Sequence, residues 1–555
     1  MGRVVLDSRF LLCWLAPVVA SFFALEIHMG GVLYRHVLKI AFYGFLLFYT
    51  IYFLLSFLPQ KIQRTLQNIL LILSLLTSFI NFFCAYYFNM GFNQAMIDTI
   101  LASNPRESIA FLNGMILPHS GVLVAYAAVC IFFLYGVRFK LQLPTKIVWG
   151  IFIALLVGVG LHSLRTGWNL QRGISGYFVN LDIASQMTPL IKETRALYAS
   201  FKNRARAQQI YASFRQPYPK DYLKADSNSV DNVVLVVGES ASRNFMGIYG
   251  YPVPNTPFLS GLAERERSQN LFIFTNTISP FSNTLPTLQV LLNYSDVENH
   301  AIPWYQQKNL GDILTLAGYK SWWLENQEEP GSSDARSLIS RRFTARYYAS
   351  LSQGRAYDAN LLETFKTKVK PHLETKNFIL FHLHGSHILY KERFPPSFAK
   401  FTPKDIPYQG LHVQNDKEKQ IVADYVNSLY YTDHVLEGIF KLFENKDAII
   451  FYLSDHAQDM FESANTYGHK CSNFGVEIPF VIYVTNTFKQ KHPEKVKAIA
   501  GALNKPFMAD DLIHSLLPLV GIHTKDNLES KNLFSPQFDT KRKRIYCDNK
   551  IYKHN

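Results

Sequence analysis

Residues Asp231–Ser242 read DNVVLVVGESAS. Val233 to Val237 form an apolar, mostly β-branched run too short for a buried helix. Asp231-Asn232 and Gly238 bound it, so it reads as a strand buried on both faces. An acid and a hydroxyl, Glu239 and Ser240, follow at once. Three later stretches repeat the layout: YKSWWLENQ (Tyr319–Gln327), NFILFHLHGSH (Asn377–His387) and AIIFYLSDH (Ala448–His456). Each apolar strand empties into polar residues at its carboxyl end, the edge at which open α/β sheets bind ligands. From Asp231 to about Pro518 strands alternate with helical stretches, which predicts a layered α/β domain with a largely parallel sheet.

Upstream the sequence is of another kind. Across 555 residues the 48% apolar content is an average over two different halves. Five nearly uncharged runs, near Phe10–Ile27, Val37–Leu58, Ile69–Phe88, Met115–Val137 and Ile147–Leu164, approach the ~20 residues needed to cross a bilayer. A cleaved signal peptide explains the first run but not its four successors. Lys61 and Arg64 mark the second connection, and Arg138, Lys140 and Lys146 the fourth. The first connection offers Arg35 and Lys39, and the third only Arg106. With Arg3 and Arg9 ahead of the first run, the positive-inside rule puts the N-terminus and the second and fourth connections in the cytoplasm. Five crossings then export everything that follows. Glu26 sits near the outer end of the first run, within snorkelling reach of the interface. The third connection has helical spacing with a break at Asn104-Pro105. The expected plan is a five-helix membrane domain (1–165), bridging helices and a linker (166–229), and an exported catalytic domain (230–555).

The formal charge of +14 suits an anionic partner, either membrane lipid or a phosphorylated substrate. Nucleic acid does not fit, because no basic stripe interleaved with aromatics runs through the globular half, and Lys541–Arg544 (KRKR) is a lone solvated run. Cys13, Cys84 and Cys130 fall in the apolar runs. Cys471 and Cys547 are the only two in the globular half and are free to pair if that half is exported.

The residues suited to chemistry are Glu239, Asp455, His456, His382, His384, His387 and His469. Asp455 and His456 at one strand end, with Glu239 from another, make three protein ligands with a position left open, the arrangement of a catalytic zinc. An oxygen-rich set with one imidazole also admits manganese. Strand alternation sends His382 and His384 to one face. His387, past Gly385, is the best placed of the cluster to reach a substrate, and His469 lies on a loop returning to the same edge. A nucleophile is sought in TISPFSNTLPTLQVLL (Thr277–Leu292), where Ser279, Ser282, Thr284 and Thr287 precede or open an apolar helical run. A hydroxyl at a helix N-terminus suits a phosphoryl group, and it equally suits an ordinary N-cap. The residues alone do not choose among the four.

The motifs VVLVVGES–R–YGY–NTPFL (Val233–Leu259), SPFSNT, WLENQ, HLHGSH, YVNSLYYTD (Tyr425–Asp433) and YLSDH followed by Gly468-His469 occur in one order. In that order the chain resembles bacterial phosphoethanolamine transferases, inner-membrane enzymes of the alkaline phosphatase/sulfatase superfamily with five spans and a periplasmic catalytic domain. The resemblance implies an alkaline-phosphatase-like α/β/α fold and one tightly bound zinc held by Glu239, Thr284, Asp455 and His456, with Thr284 as nucleophile and room for a second zinc. It implies substrate contacts from His387, His469, His382 and Asn326. It also implies phosphatidylethanolamine as donor and lipopolysaccharide core, lipid A or another envelope glycan as acceptor. Two departures stand out. Ala457-Gln458 follow Asp455-His456 where the family usually has Gly-Glu, and no cysteine lies near Thr284, where lipid A enzymes carry disulfides. The rival readings are a phosphoglycerol transferase using phosphatidylglycerol and an inactive binding or scaffold protein. The absence of a Cys or Ser in a C-x-P-x-R-like motif argues against sulfate-ester hydrolysis.

Overall fold

The computed structural model describes residues 4–22, 31–88, 91–103, 108–109, 111–169, 185, 187–205, 218–265, 270–299, 301–327, 335–348, 357–547 and 550–553. Its backbone divides into two compact units, Met1–Lys202 and Asn203–Asn555.

The first unit is helical: α1 (Ser8–Phe22), α2 (Gly31–Leu55), α3 (Gln60–Phe88), α4 (Gln94–Ala102), α5 (Ser120–Gly136), α6 (Thr145–Asn169) and α7 (Ile191–Ala205). Among the described residues four stretches are long and apolar enough to cross a membrane: Val37–Leu55, Gln60–Phe88, Leu112–Gly136 and Thr145–Leu164. The first expected span is described only as α1, a shorter apolar helix. Glu26, the Asn104-Pro105 break and most of the linker lie outside the described residues. Phe10, Phe48, Tyr49, Tyr52, Phe82 and Tyr126 form an aromatic core, while Val124, Val129, Phe132 and Tyr135 of α5 point outward. Polar side chains inside the bundle satisfy backbone carbonyls, as hydrocarbon surroundings demand. Ser74 donates to Cys13 O at 2.9 Å, and the Tyr126 hydroxyl donates to Ala16 O at 3.0 Å. Val4–Asp7 pairs antiparallel with Lys140–Leu143, and Arg9 Nη1 donates to Asn68 Oδ1 at 3.0 Å. The N-terminus and the basic fourth connection therefore share one end of the bundle, the arrangement that charge counting requires.

The second unit is built on a seven-stranded sheet: β1 (Asn232–Gly238), β2 (Leu271–Phe274), β3 (Lys320–Glu325), β4 (Ala345–Tyr348), β5 (Asn377–His382), β6 (Ala448–Ser454) and β7 (Phe480–Val484). The strand order is β2-β7-β6-β1-β5-β3-β4. Only β7 runs against the rest. Every residue of β1 is buried, because both faces are covered. Val233, Leu235 and Val237 pack with α9 (Thr284–Leu291), α10 (Leu310–Leu316) and α12 (Leu512–Val520). On the other face α11 (Asp416–Phe443) lies over the sheet, with the ring of Phe440 stacked 4.6 Å from Tyr483. Register then fixes the ends. Ser454 pairs with Gly238, Val237 with His382, and His382 with Glu325. Four neighbouring parallel strands thus finish level, and the polar residues following them share one edge.

Candidate active site

Glu239 leaves β1 and Asp455-His456 leaves β6, and their ligand atoms lie within 4.8 Å of one another. All three are buried, with exposures of 1% for Glu239 and 0% for Asp455 and His456. His456 Nε2 stands 3.2 Å from Glu239 Oε1 and 3.4 Å from Asp455 Oδ2. His456 Nδ1 lies 3.0 Å from Ala457 O, a contact that requires its proton on Nδ1. Its Nε2 then faces two carboxylates, a contact that either a proton on that nitrogen or a bound cation makes favourable. Asp455 Oδ2 has no hydrogen-bond partner among the described residues. The donor set fits a borderline divalent ion such as zinc.

The same crowding sets the protonation of the metal-free site. Burial and the adjacent Glu239 push Asp455 up to about 7. Burial would lower His456, but Asp455 and Glu239 outweigh it and raise it to about 9. Burial would raise Glu239, yet His456, helped by His387 and His469, holds its carboxyl well below the usual range.

Geometry selects among the four hydroxyls. Ser279 Oγ is committed to Phe281 O and Asp455 O, and Thr287 Oγ1 donates to Asn283 O at 2.9 Å within α9. Ser282 Oγ contacts Cys471 Sγ at 3.4 Å and Cys547 Sγ at 3.7 Å. Thr284 alone faces the acids: its Oγ1 donates to Glu239 Oε2 at 2.9 Å and lies 3.2 Å from His456 Nε2. It is the first residue of α9, where free amides and the helix dipole favour an anion.

The histidines divide. The rings of His469 and His456 are 4.5 Å apart, and His387 lies 5.9 Å from His469. Glu239, His387 and His469 form a second group with metal-ligand spacing. Burial, then His456 and His387, keep His469 well below the ordinary histidine range, hence neutral. His382 is fully buried. Its Nδ1 is 3.1 Å from Glu325 Oε1, and Glu325 also accepts from Trp323 Nε1 and Arg336 Nη1. Alternation does not carry His384 beside it, because β5 ends at His382. His384 sits in the following loop against Arg393. Asn326 is buried and donates to Asp358 Oδ1 at 2.7 Å.

Several site residues escaped the sequence reading. Asp358 accepts from the His384 and Gly385 amides, each at 2.8 Å, as well as from Asn326, and so pins the loop carrying His387. Tyr425, from the YVNSLYYTD segment, accepts from Ser242 N and donates to Ser240 O at 2.8 Å. Asp433 of that segment accepts from the Phe258 and Leu259 amides at the start of α8 (Pro257–Arg265). No local pattern marks Asp358. The expectation that no cysteine lies near Thr284 is overturned: Cys471 and Cys547 form a disulfide packed on Ser282. Cys547 comes from the far end of the chain, and its amide donates to Pro280 O, which is why spacing hid it.

A protein-family model, Sulfatase, matches residues 231–522. The chain belongs to the sulfatase family. Within this family it is 26% identical over 473 residues to phosphoethanolamine transferase EptC of Escherichia coli strain K12, covering 82% of the chain and 80% of that protein. It is also 26% identical over 416 residues to EptA of Helicobacter pylori, covering 73% and 74%. The periplasmic domain of Escherichia coli EptC, solved with zinc, superposes with a TM-score of 0.55 at 27% identity, over 60% of this chain and 95% of that one. Full-length EptA of Neisseria meningitidis superposes with a TM-score of 0.62 at 20% identity over 94% and 97%, a likeness of fold. The sulfatase-family fold here is the alkaline-phosphatase-like one, preceded by membrane helices.

Proposed function

We propose that the protein is an inner-membrane phosphoethanolamine transferase with its catalytic unit in the periplasm. It would move phosphoethanolamine from phosphatidylethanolamine to a cell-envelope acceptor, lipopolysaccharide or another glycan, through a phosphothreonine at Thr284. The observation that carries this reading is the Thr284 hydroxyl, 2.9 Å from Glu239 Oε2 and at the amino end of a helix. The named activities of EptC and EptA and the zinc in the EptC periplasmic domain support it.

Glu239, Asp455, His456 and the Thr284 oxygen would hold one zinc. A bound zinc supplies Lewis acidity, which lowers the pKa of a coordinated hydroxyl and offsets phosphoryl charge. In the first step Thr284 Oγ1 forms a bond to the donor phosphorus, the bond from phosphorus to the glycerol oxygen breaks, and diacylglycerol leaves with a proton on that oxygen. The amides opening α9 face the phosphoryl oxygens. His469 and His387 are assigned to steady those oxygens and to carry protons, His469 as a neutral imidazole at Nε2, which has no hydrogen-bond partner among the described residues. In the second step an acceptor oxygen attacks the same phosphorus and Thr284 recovers its hydroxyl. The membrane helices keep the catalytic unit near its lipid donor.

The test is purified full-length protein in detergent with labelled phosphatidylethanolamine or phosphatidylglycerol. Wild type should release diacylglycerol from phosphatidylethanolamine and carry label on Thr284, and Thr284→Ala should do neither. Diacylglycerol release by Thr284→Ala would sink the nucleophile assignment. Preference for phosphatidylglycerol would point to phosphoglycerol transfer instead.

A further inference from the structure

Ser240 occupies an unusual place. It is a non-glycine residue at φ +62°, in the left-handed region, and it is fully buried between the two acids. Its amide donates to Asp455 Oδ1 at 3.1 Å, and its carbonyl accepts from Tyr425. Its hydroxyl lies 2.6 Å from Glu239 Oε1. Gln458 Nε2, also fully buried, reaches the same hydroxyl at 2.9 Å.

Counting protons orders this chain. A serine hydroxyl has one proton to give and lone pairs to accept with. An ionised Glu239 only accepts, so the Ser240 proton must lie toward Oε1. The contact from residue 458 must then be a donation, which an amide can make and a carboxylate cannot. Gln458 Oε1 meanwhile has no hydrogen-bond partner among the described residues.

We infer that Gln458 is a positioning residue: by donating to Ser240 it commits the serine proton to Glu239 Oε1, fixes the carboxylate plane, and leaves Oε2 to face Thr284. The inference rests on the assignment of Glu239 as a metal ligand and Thr284 as nucleophile. It makes Ala457-Gln458 a working variant of the local pattern and speaks against an inactive scaffold.

The experiment is zinc affinity of full-length protein in detergent, by competition with a chromophoric chelator, for wild type, Gln458→Leu, Ser240→Ala and Ser240→Ala/Gln458→Leu. Metal-free thermal unfolding is read alongside. Outer groups that orient a ligand are worth roughly 10- to 100-fold in metal affinity, and each single variant should lose that much. The double variant should lose no more than Ser240→Ala alone, because the amide acts only through that hydroxyl. If Gln458→Leu fails to fold, Ser240→Ala, which keeps the main-chain contacts, must show the loss by itself. Additive losses, or Gln458→Leu binding zinc as wild type does, overturn the inference and leave the Thr284 reading standing. A wild type that takes up no zinc overturns that reading and the inference together.

Discussion

The Thr284 hydroxyl donates to Glu239 Oε2 at 2.9 Å although 45 residues separate the two in sequence. Glu239 therefore faces the proposed nucleophile with one oxygen, and the Ser240 hydroxyl and His456 Nε2 with the other. Glu239→Gln removes the negative charge and replaces one carboxylate oxygen by an NH2 group that cannot bind a cation. Its zinc affinity should fall at least as far as for an outer-group variant, roughly 100-fold or more, with transfer lost in proportion. Chelator competition and diacylglycerol release measure the two. A Glu239→Gln protein that binds zinc normally would remove Glu239 from the ligand set.

Gly385 shows how closely the histidine loop is fitted to this acid. Its φ is +48°, and a Cβ there would stand 2.6 Å from Glu239 O and 2.9 Å from Glu239 N. Gly385→Ala adds backbone strain of about 1–3 kcal/mol and a clash that flexible side chains cannot absorb. The expected outcome is a lower unfolding midpoint in denaturant together with weakened zinc binding, since the displaced backbone belongs to a proposed ligand. Normal zinc affinity in a destabilised Gly385→Ala protein would show that the loop and the ligand move independently.

What was legible follows from what parallel strands do. Once Val233–Val237, Ser321–Leu324, Phe378–Phe381 and Ile449–Leu453 are read as buried strands, sheet register brings Glu239, Glu325, His382 and Asp455 to one edge without long-range information. Thr284 was narrower in sequence terms, because four hydroxyls share its segment and only the folded contacts of Ser279, Ser282 and Thr287 remove the others. Asp358 was not legible, since its role lies in accepting amides from a loop 26 residues onward, and nothing local distinguishes it from a solvated acid. His384 was misplaced because alternation holds only while the strand lasts.

The disulfide joins residues 76 apart and touches Ser282, two positions before Thr284, the proposed nucleophile. Closing a loop of that length is worth about 4 kcal/mol on the chain-entropy view. Cys471→Ser/Cys547→Ser should lower the denaturant midpoint and slow transfer, because the Ser282 hydroxyl loses the surface it rests on. Wild type treated with a thiol reductant should match the double variant. Full transfer activity after verified reduction would confine the bridge to a stabilising role.

His514 provides a pH test away from the metal site. It is 3% exposed, and its Nδ1 accepts from the Leu528 amide at 3.0 Å, a bond that needs that nitrogen unprotonated. Burial, then the nearby Lys531 charge, push it down to about 4. An unfolded chain takes up this proton near pH 6.5. The folded state resists it, so its stabilising contribution is present above about pH 6.5 and is lost progressively as pH falls toward 4. At about 1.4 kcal/mol per pH unit, the loss approaches 3 kcal/mol across that window. His514→Asn keeps an acceptor for Leu528 but cannot titrate. Guanidinium unfolding of full-length protein in detergent at pH 7 and pH 4.5 should therefore show a smaller acid loss for the variant, by about 2–3 kcal/mol. Equal acid losses in the two proteins would mean that His514 takes up its proton as easily folded as unfolded.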